Sequence, residues 1–144
     1  MIFKLLKTKK IENKKITSVS VVVLNDSKEI LTVKLSKRGW DIPGGHVEDR
    51  DRDVFKTAKR EVMEEACVEI KDCKISAIIR SYYYKEPTYM LFLSAKVGKV
   101  YKFNKNKESL DRKFINPLDF LESYSSVNNV ELMREIIKNA IKCP

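Results

Sequence analysis

The chain has 144 residues, 43% of them hydrophobic, with four glycines and four prolines; this describes one globular domain and excludes two domains or a low-complexity polymer. Its formal charge of +9, from 29 Lys and Arg against 20 Asp and Glu, suits a polyanionic partner such as a nucleotide, RNA or an anionic membrane, and suits plain solubility as well. Cys67, Cys73 and Cys143 form an odd set without CxxC spacing, so they read as free thiols in a reducing compartment, not as a disulfide framework or zinc site.

The first fifteen residues carry six lysines and one glutamate and read as a basic arm or an edge strand leading into the domain. The apolar run at the start is too short for a signal peptide. No segment approaches the roughly 18 apolar residues that span a bilayer, so a cytoplasmic protein is expected. The β-branched run Ile16–Leu24 predicts a mostly buried strand. Asn25-Asp26-Ser27 supplies a turn, and residues 29–35 a second strand. Trp40-Asp41-Ile42-Pro43-Gly44-Gly45 follows a loop and suits no regular element. A helix is expected over residues 53–66, capped by Asp53, or by Asp51 if it starts earlier, with Phe55, Ala58, Val62 and Ala66 on its apolar face. Residues 68–70 and 73–80 are short strand material. Residues 81–85 and 88–97 predict a hairpin around Glu86-Pro87, and residues 98–112 an irregular basic loop. Phe114-Ile115 ends the sheet before a helical turn opened by Asn116-Pro117. Val130, Met133, Ile136, Ile137, Ala140 and Ile141 repeat at helical period and define an amphipathic C-terminal helix. The order predicts one mixed sheet covered by helices on both faces, an α/β (α+β) domain.

In a helix over residues 60–66, Glu61 lies three and four residues from Glu64 and Glu65, which stacks three carboxylates on one side. Like charges at that spacing destabilise a helix, and the backbone dipole adds to the cost near its C-terminus. Arg60 and Lys59 offset part of it. A divalent cation offsets it better, because Mg²⁺ seeks carboxylate oxygens and water, and such ions can bridge a pyrophosphate and lower the pKa of a bound water. Taken alone, an E-x-x-E-E run is ordinarily a solvated face, and Gly44-Gly45 a turn. Their conjunction around one polar loop is the informative feature.

The segment resembles the signature of the Nudix hydrolases, G-x5-E-x7-R-E-U-x-E-E-x-G-U with U a bulky apolar residue. Ile42-Pro43-Gly44-Gly45-His46-Val47-Glu48 is similar to its entry, and Arg60-Glu61-Val62-Met63-Glu64-Glu65-Ala66-Cys67-Val68 to its exit. Trp40 and Phe114-Ile115-Asn116-Pro117-Leu118 extend the resemblance beyond the motif. Two positions depart from it. The first glutamate falls on Asp51, with eight residues instead of seven before Arg60, or on Asp53 with two extra residues before it and one fewer after. The final glycine is Cys67; cysteine in a left-handed conformation costs about 1 kcal/mol, so a different helix exit is expected.

The resemblance implies an α/β/α sandwich with a central mixed sheet over residues 1–144, and a Mg²⁺ or Mn²⁺ cofactor. It implies Glu61 and Glu65 as metal ligands, Glu64 as a ligand or the base, and the Gly44 carbonyl completing a metal shell. Arg60 would hold a neighbouring carboxylate, Asp51 would contribute to that network, and Glu48 would support the loop or a second metal through water. Gly45 borders the substrate. Glu108, ahead of Glu86, is the candidate for a further base from a late loop, and Lys102, Lys105 and Lys107 are candidates for the outer phosphates. Tyr82 and Tyr84 share a strand face and are candidates for stacking on a base, ahead of Phe3, Trp40 and Phe103. His46 lacks a triad partner and reads as a loop residue.

The implied activity is water attack on a diphosphate bond in a nucleoside diphosphate linked to another group, such as a nucleoside triphosphate, an ADP-ribose-like compound or a nucleotide sugar. A 5′-triphosphorylated RNA end also fits, given the charge. The alternative is a catalytically inactive nucleotide- or RNA-binding module on the same scaffold. No membrane partner is expected, and strand edges or residues 2–6 offer a surface for a homodimer.

Overall fold

The computed structural model describes residues 3–37, 39–82, 85–124 and 130–142. Their strands are β1 (Phe3–Leu5), β2 (Ile16–Leu24), β3 (Ile30–Leu35), β4 (Gly39–Asp41), β5 (Gly44–His46), β6 (Val68–Ser81), β7 (Thr88–Val100) and β8 (Ser109–Ile115). The helices are α1 (Val54–Ala66), α2 (Pro117–Tyr124) and α3 (Val130–Lys142). One mixed sheet runs in the order β1-β6-β7-β2-β3-β4, with β5 beside β2 and β8 beside β3. The β2–β7 pair is parallel and every other pair is antiparallel.

Alternation along β2 explains the layers. Val19, Val21 and Val23 face one side and pack with Ala58, Val62 and Ala66 of α1. Val22 faces the other side and joins Phe120 of α2 and Met133, Ile136 and Ala140 of α3. The result is the expected α/β/α sandwich with β2 buried on both faces, which accounts for its near-continuous apolar sequence. Among the described residues no helix is long and apolar enough to cross a membrane.

Four details depart from the expectation. Residues 39–46 are not irregular: β4 pairs with β3, and after the bend at Ile42-Pro43 β5 pairs with β2. Pro43 has no N–H to donate to a ladder, but its carbonyl accepts from the Val21 amide at 2.9 Å, so the bend is held on the sheet. The two short strands expected between residues 68 and 80 are one, because bulges absorb the polar residues around Asp72. The hairpin arm expected at residues 81–85 ends at Ser81, and Tyr83 and Tyr84 lie outside the described residues. The loop expected at residues 98–112 shrinks to residues 101–108, because β7 continues to Val100 and β8 starts at Ser109. Lysine-rich sequence concealed this pairing.

Helix α1 starts where expected, with the Asp53 carboxylate accepting the Lys56 amide at 2.9 Å. Its exit overturns the expectation. Cys67 takes the left-handed conformation itself, φ 55° and ψ 42°, and its N–H closes on the Met63 carbonyl at 3.0 Å. The exit geometry is the one a glycine would adopt, carried by a residue with a Cβ. Arg112 offsets part of that cost by donating to the Ala66 carbonyl at 2.8 Å, at the orphan end of the helix. Cys67→Gly is expected to stabilise the fold by about 1 kcal/mol. The measurement is the urea midpoint at unchanged slope; an unaltered or lower midpoint would show that the left-handed cysteine carries no strain.

Candidate active site

The bend at Pro43 and the pairing of β5 with β2 place two glycines beneath α1. The Gly44 amide donates to Glu65 Oε1 at 2.8 Å, across 21 residues of sequence. At Gly45 a Cβ would fall 2.4 Å from the Glu61 carboxyl carbon, so Glu61 lies directly over the backbone there. Glu61 and Glu65 are one helical turn apart and reach adjacent residues of the same strand. Glu65 thus sits at the Gly44 amide and Glu61 at the neighbouring Gly45. Glu64 diverges: its side chain is 51% exposed and pairs with Arg50 at 3.3 Å and Arg60 at 3.4 Å.

Arg60 organises the rest. Its side chain is 14% exposed and contacts Asp51 at 2.7 Å, Glu61 at 2.8 Å, Glu48 at 3.3 Å and Glu64 at 3.4 Å. The Asp51 contact is bidentate, through Nε and Nη2, the geometry in which a guanidinium fork binds a carboxylate best. Asp51 also accepts from the Thr57 hydroxyl at 2.9 Å and the Glu48 amide at 3.0 Å. Of the two candidates it is Asp51 that Arg60 grips, while Asp53 caps the helix. Arg60 Nη2 further donates to the His46 carbonyl at 3.1 Å, tying the helix to the glycine strand.

These contacts move protonation equilibria in opposite directions. The Arg60 guanidinium holds the Asp51 carboxyl well below the usual carboxylate range, and Asp51 in return raises Arg60. Burial pushes the Glu61 carboxyl up, outweighing the attraction of Arg60. A depressed carboxyl stabilises the fold above its ordinary value and loses that stabilisation as pH falls toward its native value. Asp51→Asn is therefore expected to lower the thermal midpoint at neutral pH, with the gap from wild type closing only below the ordinary value of 3.8. Thermal unfolding from acid to neutral pH reads this, and a gap that stays constant through the acid range would refute it.

Among the described residues no three His, Cys, Asp or Glu side chains are arranged as a metal-binding set. The donor chemistry nonetheless fits a hard divalent cation. The Glu61 carboxylate occupies the space that a Cβ on Gly45 would need, Glu65 lies at the adjacent Gly44 amide, and the burial that raises Glu61 is a cost a cation would relieve.

The loop over residues 101–108 folds back onto the same end of α1. Asn106 caps the turn by accepting the Glu108 and Ser109 amides, each at 2.8 Å, and its side-chain amide lies 3.4 Å from the Glu64 carbonyl. Glu64, Glu65, Lys107 and Glu108 consequently border one cavity of about 350 Å³. Lys102 and Lys105 are exposed elsewhere on this loop. Glu86 is exposed, and Tyr82 is 46% exposed with Arg80 stacked over its ring; neither borders this cavity. Tyr84 lies outside the described residues. Trp40 and Phe103 carry Lys113 and Arg112 over their rings.

A second cavity, of about 520 Å³, opens on the other side of the glycine strand. Ser18, Ser20, Asp41 and His46 line it beside Gly44 and Gly45, and Ile79, Phe92, Met133 and Ile136 line it farther in. Sequence reasoning assigned Met133 to core cover and passed over the serines and Asp41. Only the packing of α3 against the sheet reveals them. Arg50 and Arg112 were likewise unmarked, since a lone arginine in a charged loop carries no signal.

The match to the NUDIX domain family model spans residues 14–136. No curated protein matches the sequence. Among solved structures the fold is similar to a pyrophosphohydrolase of Bacillus subtilis, at TM-score 0.76 and 18% identity, covering 95% of this chain and 88% of that one. It is similar to a NUDIX hydrolase from Nitrosomonas europaea, at TM-score 0.68 and 17% identity over 88% of each chain. It is also similar to an ADP-ribose pyrophosphatase from Streptococcus suis, at TM-score 0.65 and 18% identity, over 92% of this chain and 96% of that one. With the family model matched over most of its length and the glycine strand lying under an acidic helix, the chain belongs to the Nudix hydrolase family.

Proposed function

We propose that the chain is a Mg²⁺- or Mn²⁺-dependent pyrophosphohydrolase. It cleaves the diphosphate bond of a nucleoside diphosphate linked to another group: a nucleoside triphosphate, an ADP-ribose-like compound or a nucleotide sugar. The observation that carries this reading is the placement of the Glu65 carboxylate on the Gly44 amide and of the Glu61 carboxylate over Gly45. Two of the structural neighbours are described as a pyrophosphohydrolase and an ADP-ribose pyrophosphatase, which points to the same reaction class.

In this mechanism Glu61 and Glu65, with the Gly44 carbonyl, would hold the divalent cation, and Glu64, now paired with Arg50 and Arg60, would be a further ligand or the base. Bound there, the cation would supply Lewis-acid polarisation of the diphosphate. Arg60 fixes Glu61 on one side while its fork is anchored on Asp51, so the carboxylate is positioned before substrate arrives. Water attacks one phosphorus, its proton passes to Glu64 or Glu108, and the bond from that phosphorus to the bridging oxygen breaks. The products are a nucleoside monophosphate and pyrophosphate or a second phosphorylated fragment. Lys107, beside Glu108, meets the outer phosphates.

A second reading, a nucleotide-binding module without turnover, is favoured by one contact: Arg60 already occupies Glu61 at 2.8 Å. A panel of nucleoside triphosphates, dinucleotide polyphosphates, nucleotide sugars and triphosphorylated RNA separates the two, assayed with Mg²⁺, with Mn²⁺ and with chelator. Metal-dependent release of a nucleoside monophosphate is expected. Nucleotide binding with no turnover under any metal would establish the binding module instead.

A further inference from the structure

We infer that Ser109 is a substrate-binding residue: in the cavity of about 350 Å³ at the end of α1, its hydroxyl donates to an oxygen of the phosphates that leave from beyond the reacting phosphorus. This rests on the pyrophosphohydrolase reading for the presence of a diphosphate, whereas the unused donor at this wall stands on its own observations.

Ser109, the first residue of β8, is 0% exposed, and its Oγ has no hydrogen-bond partner. Other buried hydroxyls of the sheet are satisfied. Those of Thr32, Ser76 and Ser94 donate to the Lys113, Phe92 and Ala140 carbonyls at 2.9, 3.1 and 3.1 Å. Among the described residues the other buried side-chain atom left in this state is Arg80 Nε, which belongs to a guanidinium stacked over the Tyr82 ring. A buried hydroxyl without a partner has given up its bonds to water for nothing, a cost that folded proteins ordinarily avoid.

The backbone holds this residue still and gives its side chain a direction. The Ser109 amide donates to Asn106 Oδ1 at 2.8 Å, and its carbonyl accepts the Asn106 amide at 3.0 Å. Asp111 pairs with Lys34 but Ser109 with Leu35, so Leu110 is an extra residue in the ladder. That bulge puts Ser109 on the face of Leu35, which packs in the α1 core, and not on the face of the exposed Lys34 and Asp111. Ser109 therefore stands on the side of the sheet that α1 covers, and it lines one cavity with Glu64 and Glu65 of that helix. In the proposed complex, rotation about the single Cα–Cβ bond turns the hydroxyl to the ligand while the backbone stays in place.

Charge and size narrow the ligand. Glu64, Glu65 and Glu108 border the cavity against Lys107, so a bare phosphate is repelled and one that arrives with divalent cations is not. The volume is at the lower end of the roughly 300–1,000 Å³ range of small-molecule sites, which suits a diphosphate better than a whole nucleotide. A neutral donor adds a hydrogen bond to a phosphate oxygen without adding charge to this crowded site.

Ser109→Ala removes the hydroxyl and little else. Without metal or phosphate, its thermal midpoint is expected to equal or exceed that of wild type, by up to about 4 °C, because no hydrogen bond is lost. Calorimetric titration with inorganic pyrophosphate in Mg²⁺ is expected to give a Kd about tenfold higher than wild type. Binding of Mn²⁺ alone, read by electron paramagnetic resonance, is expected to be unchanged. A lowered midpoint would show a structural hydroxyl, and a weakened Mn²⁺ affinity one that serves the cation. An unchanged pyrophosphate Kd, or a wild type that binds no pyrophosphate, would show that no phosphate meets it. Each of these would overturn the inference, and a wild type that still releases nucleoside monophosphate would leave the hydrolase reading in place. Tenfold weaker pyrophosphate binding in Ser109→Ala, beside a wild type that turns over no substrate under any metal, would support the phosphate site and remove the hydrolase reading.

Discussion

Glu65→Gln is expected to lower metal-dependent turnover by about 10³-fold while the protein stays folded. Glutamine keeps the shape of the side chain and an oxygen able to accept the Gly44 amide, so the 2.8 Å tie between helix and glycine strand survives. What is lost is the negative charge that a divalent cation needs. The comparison is kcat/KM at saturating Mg²⁺ together with the thermal midpoint. Turnover within tenfold of wild type would remove Glu65 from the metal site; a collapsed midpoint would show that its role is structural.

Gly45→Ala is expected to cost about 10²-fold in turnover, and the neighbouring Gly44→Ala to cost fold stability instead. The difference follows from what each new methyl meets. At Gly45 it meets the end of the flexible Glu61 side chain, 2.4 Å away, which can rotate aside; the fold persists with Glu61 displaced from its proposed place at the cation. At Gly44 it meets the Val19 carbonyl oxygen at 2.6 Å and the Ser20 Cα at 2.8 Å, both backbone, which cannot yield without breaking the β2–β5 pairing. A loss of about 3 kcal/mol is expected there. Urea unfolding and a steady-state assay on both variants decide the matter. Full activity in Gly45→Ala would mean that Glu61 does not need its place above the strand.

Arg60 explains how the site tolerates its unusual loop. Aspartate is one methylene shorter than the glutamate of the family signature, and one extra residue separates Asp51 from Arg60. The two departures compensate, since the loop delivers Asp51 into a bidentate contact at 2.8 and 2.7 Å, backed by Thr57 and the Glu48 amide. With Asp51 satisfying one side of the guanidinium, the other side faces Glu61 and Glu64. Helix, loop and glycine strand are thereby held together by the protein's own groups.

The local chemistry of the chain alone determined the elements with strong periodicity: β2 and its valines, α1 from its Asp53 cap to Ala66, and α3. It also determined the acidic helix face, because i, i+3 and i+4 spacing is a property of the helix and not of its surroundings. Tertiary packing decided the rest. That Glu61 and Glu65 turn inward while Glu64 faces Arg50 depends on the strand beneath them and on a guanidinium nine residues from its partner. The extension of β7 and the start of β8 within lysine-rich sequence depend on pairing, which outweighs weak strand propensity. Cys67 takes a left-handed conformation against its own preference, with its N–H on the Met63 carbonyl and β6 starting at the next residue. The cavity behind Gly44 belongs to no segment of the sequence: its walls come from strands β1, β2, β4, β5, β6 and β7 and from α2 and α3, and a concave surface exists only once they are packed.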